Sequence, residues 1–232
     1  MVQKLQSKGK ITLIVSLIIV FGLFFRVGLD KFFYEEPNGA ITPPIDAKDE
    51  ADRLIQRASQ NFFYHEFDQA VENYKKAIAL FEERKNFKRA ARTYESIGDI
   101  YKFAHKLKET KNAYLSAVEY HQKLQDKIGE GRAMKKMGEF YMERSDFDKA
   151  GEWLGKAVRK VQDTKPHIVK AKIYEIQGHY FLKTEQISKA LESFQQAKVT
   201  FDKTGYPLGY DNISPMIQKL KRQLKNNTTW CD

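Results

Sequence analysis

The stretch MKKMGEFYMERSDFDKAGEWLGKA, residues 134–157, decides the fold. Met134, Met137, Gly138 and Tyr141 fall at i, i+3, i+4 and i+7, which is one face of an α-helix. The glycine in that face lets a second helix approach closely, and the larger side chains pack around it. A short polar stretch follows. Phe147, Ala150, Leu154 and Ala157 then mark one face of a second helix.

The same arrangement recurs upstream and downstream at a spacing of 40 residues, with no insertion or deletion between copies. Tyr74 with Ala77, Tyr114 with Ala117, Leu154 with Ala157 and Phe194 with Ala197 form one series. Ala58, Gly98, Gly138 and Gly178 form a second, and Ala70, Thr110, Ala150 and Ala190 a third. The second copy adds Tyr94, Ile97 and Tyr101, and the fourth adds Tyr174, Phe181 and Ile187. A period of this length predicts a stacked array in which each unit completes its core with its neighbours. Aromatic residues make up 13% of the chain, and the repeat itself uses many of them, so their expected role is core packing rather than base stacking.

The pattern resembles the tetratricopeptide repeat (TPR) family. Residues 137–141 (MGEFY) and 146–150 (DFDKA) are close to its consensus. The resemblance implies an all-α fold, a right-handed superhelical solenoid of about four TPR helix hairpins plus a C-terminal capping helix. Units are expected at about 51–90, 91–130, 131–170 and 171–210, with a cap over 214–225 and a tail over 226–232. The family's usual unit is about 34 residues. The extra length is predicted to extend the second helix and the connection after it. Units of this length resemble those of vesicle-fusion adaptors and some bacterial regulators. The first copy is weaker, because Asn61 stands where an aromatic is expected and Phe62 and Phe63 follow it. Gly205, Pro207 and Gly209 suggest a loop over 205–215, with Ser214 capping and Pro215 opening the last helix. Ile217, Leu220 and Leu224 line one face of that helix, and Lys219, Lys221, Arg222 and Lys225 its outside.

The N-terminus has a different character. Residues 11–25 carry no charge. As a helix they would span roughly 22 Å, and extension to residue 29 gives about 28 Å, near the ~30 Å of a bilayer core. Residues 1–10 form a short basic tail, 11–29 are expected to be a transmembrane signal anchor, and 30–48 read as a Pro-rich linker before a TPR domain over 49–225. Lys4, Lys8 and Lys10 precede the apolar run, while Arg26 and Lys31 follow it. That bias predicts a single-pass membrane protein with a cytoplasmic N-terminus, which in a bacterium places the repeats in the periplasm.

The net charge is +10, of which residues 1–31 supply +4, and acids are interspersed with bases throughout the remainder. No basic run with interleaved aromatics occurs, so nucleic acid is not an expected partner. Cys231 is the single cysteine and has no internal disulfide partner. The five histidines are scattered without ligand spacing, so neither a metal nor any cofactor is expected. No nucleophile elbow, phosphate-binding loop or dinucleotide fingerprint is present, and the chain is not expected to be an enzyme.

The TPR resemblance implies that the first helix of each unit lines a concave groove. The corresponding positions are Arg92, Glu95, Asp99 and Lys102 in the second unit. They are Arg132, Lys135, Glu139 and Met142 in the third, and Lys172, Glu175, His179 and Leu182 in the fourth. The first unit supplies Asp52, Ile55, Ser59 and Phe62. Some family members clamp a C-terminal carboxylate with a Lys, Asn and Arg set. Arg132 and Lys136 match its basic pair, but Ile55 and Ser59 replace two anchors, so that activity is not expected. The groove mixes charges beside an apolar margin of Phe62, Phe63, Phe103, Met142 and Leu182, which suits an extended peptide or a partner helix. The expected function is a membrane-anchored scaffold that docks protein partners during complex assembly or as a translocon or chaperone accessory. A membrane trafficking or fusion adaptor is the alternative. An enzyme with an unrecognised site is a third reading.

Overall fold

The computed structural model of the chain describes residues 49–228. Those residues form nine helices and contain no strand: α1 (Glu50–Phe63), α2 (Phe67–Glu83), α3 (Phe87–Phe103), α4 (Leu107–Lys123), α5 (Lys127–Met142), α6 (Phe147–Val161), α7 (Ile168–Lys183), α8 (Ile187–Lys203) and α9 (Pro207–Thr228). Consecutive helices pack on one another, and α5 also packs on α7.

The repeat has a half-period invisible in its apolar pattern. His65, Lys85, His105, Gln125, Ser145, Glu185 and Gly205 all have φ between 55° and 65°. They fall on a 20-residue grid, and each sits in the turn between two helices. The residue after each donates its backbone N–H to the carbonyl five positions back, as Glu66 does to Asn61 and Asp146 to Tyr141. This is the six-to-one bond of a Schellman turn, which satisfies a helix-end carbonyl and reverses the chain. The unit is therefore two hairpin halves of equal length.

Six of those seven left-handed residues are not glycine, and each bears the steric cost of its Cβ. Glu185 is exposed, with φ 60°. Its replacement by glycine is expected to stabilise the protein by about 0.5–1 kcal/mol, the relieved strain exceeding the added chain entropy. The denaturant midpoint should rise. A fall would mean that the Glu185 side chain contributes more than its backbone geometry costs.

The grid breaks once, where residue 165 should turn. Pro166 has no N–H, so it cannot donate the bond that Asp146 and Gln186 make in their turns. The chain instead runs through residues 162–167, and Lys170 Nζ donates to the carbonyls of Gln162 (2.6 Å) and Thr164 (2.9 Å). His167 caps α7, its Nδ1 accepting from the Val169 N–H at 3.1 Å.

The repeat positions form the core. Ala58, Ala70, Ala77, Ala117, Thr110, Ala150, Ala157, Ala190 and Ala197 are all fully buried. A Cβ added at Gly98 would lie 2.3 Å from the Tyr114 ring, one at Gly138 2.6 Å from Leu154, and one at Gly178 2.7 Å from Phe194. Each glycine thus seats the large residue 16 positions later on the partner helix.

Bonds between units join like with like. The Arg89 guanidinium of α3 meets Asp52 of α1, and Arg132 of α5 meets Glu95 of α3. Between second helices, Tyr120 of α4 donates to Glu82 of α2. First and second helices accordingly form two layers.

Two expectations are corrected. The extra residues do not lengthen the connection after the second helix. They make both helices of a unit long, as in the 17-residue α2, α3 and α4, while most turns stay short. Residues 207–215 are not a loop, for α9 begins at Pro207 and continues through Pro215 to Thr228. Pro207 stands at the first helical position, where its missing N–H costs nothing. Gly209 is flush against Phe201, which a Cβ would approach to 2.7 Å, and Ser214 Oγ donates to the Tyr210 carbonyl at 2.8 Å. No helix among the described residues is long and apolar enough to cross a membrane. The span expected over residues 11–29 lies outside the described residues.

Candidate docking surface

The first-helix layer carries the twelve positions at which docking was expected. Glu95 and Met142 are buried, and the other ten are half-buried. Their charges are largely spent on one another. Arg132 grips Glu95 with two bonds, Nε to Oε2 at 2.8 Å and Nη2 to Oε1 at 3.1 Å. Lys136 donates to both oxygens of Asp99 at 2.7 and 2.8 Å, and Asp99 also accepts from the Tyr114 hydroxyl at 2.6 Å. Lys102 reaches Glu143 at 2.8 Å, and within α5 Lys135 holds Glu139 at 2.9 Å. Three of these bridges, Asp52–Arg89, Glu95–Arg132 and Asp99–Lys136, link residues 37 apart. That is one repeat less one helical turn, so the spacing itself is the sequence signal that finds them.

Electrostatics follow from this pairing. Burial pushes the Glu95 carboxyl up, but the Arg132 guanidinium and the His121 hydrogen bond outweigh it and hold the pKa at about 2. Burial likewise works against the charge on Lys136, and Asp99 and Glu95 more than restore it. The Tyr114 hydroxyl is pushed well above the usual phenol range by burial and by Asp99.

The fourth unit differs. The Glu175 side chain makes no hydrogen bond or salt bridge among the described residues, and burial raises its pKa against the pull of Lys172 and Lys135. The His179 ring sits edge-on to Phe194 at 5.1 Å, and burial lowers its pKa. Leu182 packs into the C-terminal apolar cluster, and Lys172 Nζ lies 5.9 Å from the Tyr206 ring. Arg92 is half-buried on α3.

The expected apolar margin divides. Phe63 and Phe103 are 51% and 54% exposed, beside Tyr64 at 70%, whereas Met142 is buried. Phe62 stacks edge-on against Phe103 at 5.5 Å, so the weak first copy is tied to the second by an aromatic contact. Asn61, standing where an aromatic was expected, accepts from Asn73 at 2.9 Å. No group of His, Cys, Asp and Glu among the described residues is arranged to hold a metal ion.

Residues 36–206 match the family described as "SNAP: Soluble NSF attachment protein". The chain belongs to the SNAP family. Its long-unit repeat is the family's TPR-type helical array. This SNAP-family chain has the fold seen in the crystal structure of the apo form of RapI, with a TM-score of 0.63 at 13% identity over 78% of this chain and 50% of that one. It is also similar to BtubC (BKLC) from P. vanneervenii, with a TM-score of 0.46 at 15% identity over 75% of this chain and 64% of that one. The SNAP-family chain thus spans half the length of RapI and under two thirds of BtubC. No curated protein matches it in sequence.

The family corrects the expected localisation. A single-pass membrane protein with a cytoplasmic N-terminus and periplasmic repeats does not stand, because the matched family is one of soluble attachment proteins. The longest helix among the described residues, α9, carries Lys219, Lys221, Arg222 and Lys225.

Proposed function

We propose that this SNAP-family chain is an attachment adaptor, a non-catalytic helical scaffold that docks protein partners in membrane trafficking. The match of residues 36–206 to a family of NSF attachment proteins carries the reading and supports the adaptor alternative. The docking surface is the first-helix layer. Arg92, Glu95, Asp99, Lys102, Arg132, Lys135, Glu139 and Met142 form its frame, and Lys172, Glu175, His179 and Leu182 meet the partner. Internal ion pairing supports the frame role, since charges already satisfied hold helices in register and offer little to a ligand. Glu175, with its carboxylate unspent, is where a partner cation would gain most.

The experiment immobilises the full-length chain and measures binding of NSF purified from the same source. The wild type is expected to bind. A Lys172→Glu/Glu175→Lys swap should weaken binding about tenfold, worth ~1.4 kcal/mol. A control swap on α4, Lys111→Glu/Glu119→Lys, should bind like the wild type. Absence of wild-type binding refutes the attachment reading, and equal binding by all three refutes the surface.

A further inference from the structure

His121 closes the second unit at the C-terminal end of α4, and its ring is completely buried. Nε2 lies 3.1 Å from Glu95 Oε1 on α3. Nδ1 lies 3.2 Å from Asp126 Oδ2, off the line of the ring N–H. Asp126 is the N-cap of α5, its Oδ1 accepting from the Gly129 N–H at 2.9 Å. A Cβ at Gly129 would lie 2.2 Å from His121 Nδ1 and 2.5 Å from the Asp126 carboxylate. The absence of that Cβ makes room for both groups.

A neutral imidazole has one donor and one acceptor, whereas the imidazolium has two donors. Here both ring nitrogens face carboxylate oxygens, and no water reaches the ring. With the neutral form, one nitrogen would direct its lone pair at a carboxylate inside the protein. The site is therefore built for the charged ring, and the proton ties three elements together: α3 through Glu95, α4 through His121 itself, and the start of α5 through Asp126.

We propose that His121 is a proton-held latch between the second and third repeat units, and that loss of its proton loosens the joint at the turn of residues 124–126. The surrounding charges set the balance. From α3 come Glu95, Lys88 and Arg92; from α5 and its cap come Asp126 and Arg132; from the cap of α7 comes His167. Burial and Arg132 oppose the charged ring, and the two carboxylates more than compensate, so its pKa is raised above the ordinary 6.5. A raised pKa places the stabilisation fully below pH 6.5 and removes it as pH rises through the folded value. Glu95 keeps Arg132 and Asp126 keeps the Gly129 N–H, so the fold survives while the joint softens. Because the latch sets how the second unit meets the third, it makes the geometry of the first-helix layer sensitive to pH.

The test uses the full-length protein with Cys231→Ser. Nitrogen NMR of labelled histidines reads the protonation of His121, and spin labels at Lys111→Cys and Glu152→Cys read the distance across the joint between α4 and α6. Two protonated ring nitrogens are expected at pH 6.5, with a midpoint above that pH and a distance distribution that broadens through the same midpoint. His121→Gln should show the broad distribution at every pH. A neutral His121 ring at pH 6.5, or a distribution unchanged across the titration, overturns the proposal. The NMR reading needs no substitution at His121, so it stands even where His121→Gln fails to fold.

Discussion

Arg132→Met is expected to destabilise the protein by about 3–5 kcal/mol, although Arg132 lies at a position first read as a ligand contact. The Glu95 side chain is 6% exposed, and Arg132 supplies two of its hydrogen bonds. Methionine preserves the apolar stem but leaves a buried carboxylate supported mainly by His121. A charge stripped of its partner inside a protein costs far more than a surface pair contributes. Chemical denaturation measures the loss, and Glu95→Gln/Arg132→Met should recover part of it, since the double variant no longer buries an unpaired charge. A single-variant loss under 1 kcal/mol, or strictly additive losses, would show that the pair is a surface interaction. The Glu95 shift adds a pH signature. Its depressed pKa gives stability present above the ordinary 4.5 and lost as pH falls toward about 2, and Glu95→Gln should flatten that limb.

Phe194→Ala should cost a comparable 3–5 kcal/mol, by a different mechanism. Phe194 is fully buried, seated against Gly178, and it supports the His179 ring. Its removal leaves a cavity between α7 and α8 that backbone cannot fill, because the neighbouring repeat positions Ala190 and Ala197 are small. Leucine occupies the equivalent position in the third unit, at Leu154 opposite Gly138. Phe194→Leu is therefore expected to cost only about 1 kcal/mol. Gly178→Ala forces a Cβ within 2.7–2.8 Å of ring atoms and should cost about 1–3 kcal/mol. Loss at Phe194→Ala no greater than at Phe194→Leu would mean that the fourth unit does not contribute to one cooperative core.

These two positions also show what was legible in the sequence. Periodicity alone places Phe194 in the core, because packing imposes a small residue opposite a large one and repeats both every 40 residues. The helix hairpins were read from that rule. Turn geometry was not, since the left-handed backbone is held by His65, Lys85, His105, Gln125, Ser145 and Glu185, which share no side-chain chemistry. Gly205 and Pro207 misled for the opposite reason. Residues that usually mark a loop here mark a turn and the first position of α9. Arg132 shows the limit at the docking surface. A position map places a charge on a helix face, but its availability depends on the neighbouring unit, and Glu95 had already claimed it. Glu175 lacks an arginine or lysine 37 residues on, where Asn212 stands, and Phe201 takes the repeat position of His121.

The claim that partners dock on the first-helix layer is tested most directly by photo-crosslinking. A photoreactive residue is placed in the full-length protein at position 175 or 182, or at position 111 or 119 on α4, and the protein is mixed with NSF of the same source. Crosslinks to NSF from 175 and 182, with none from 111 and 119, are the predicted result. Crosslinks confined to 111 and 119 would contradict the account and move the docking surface to the second-helix layer.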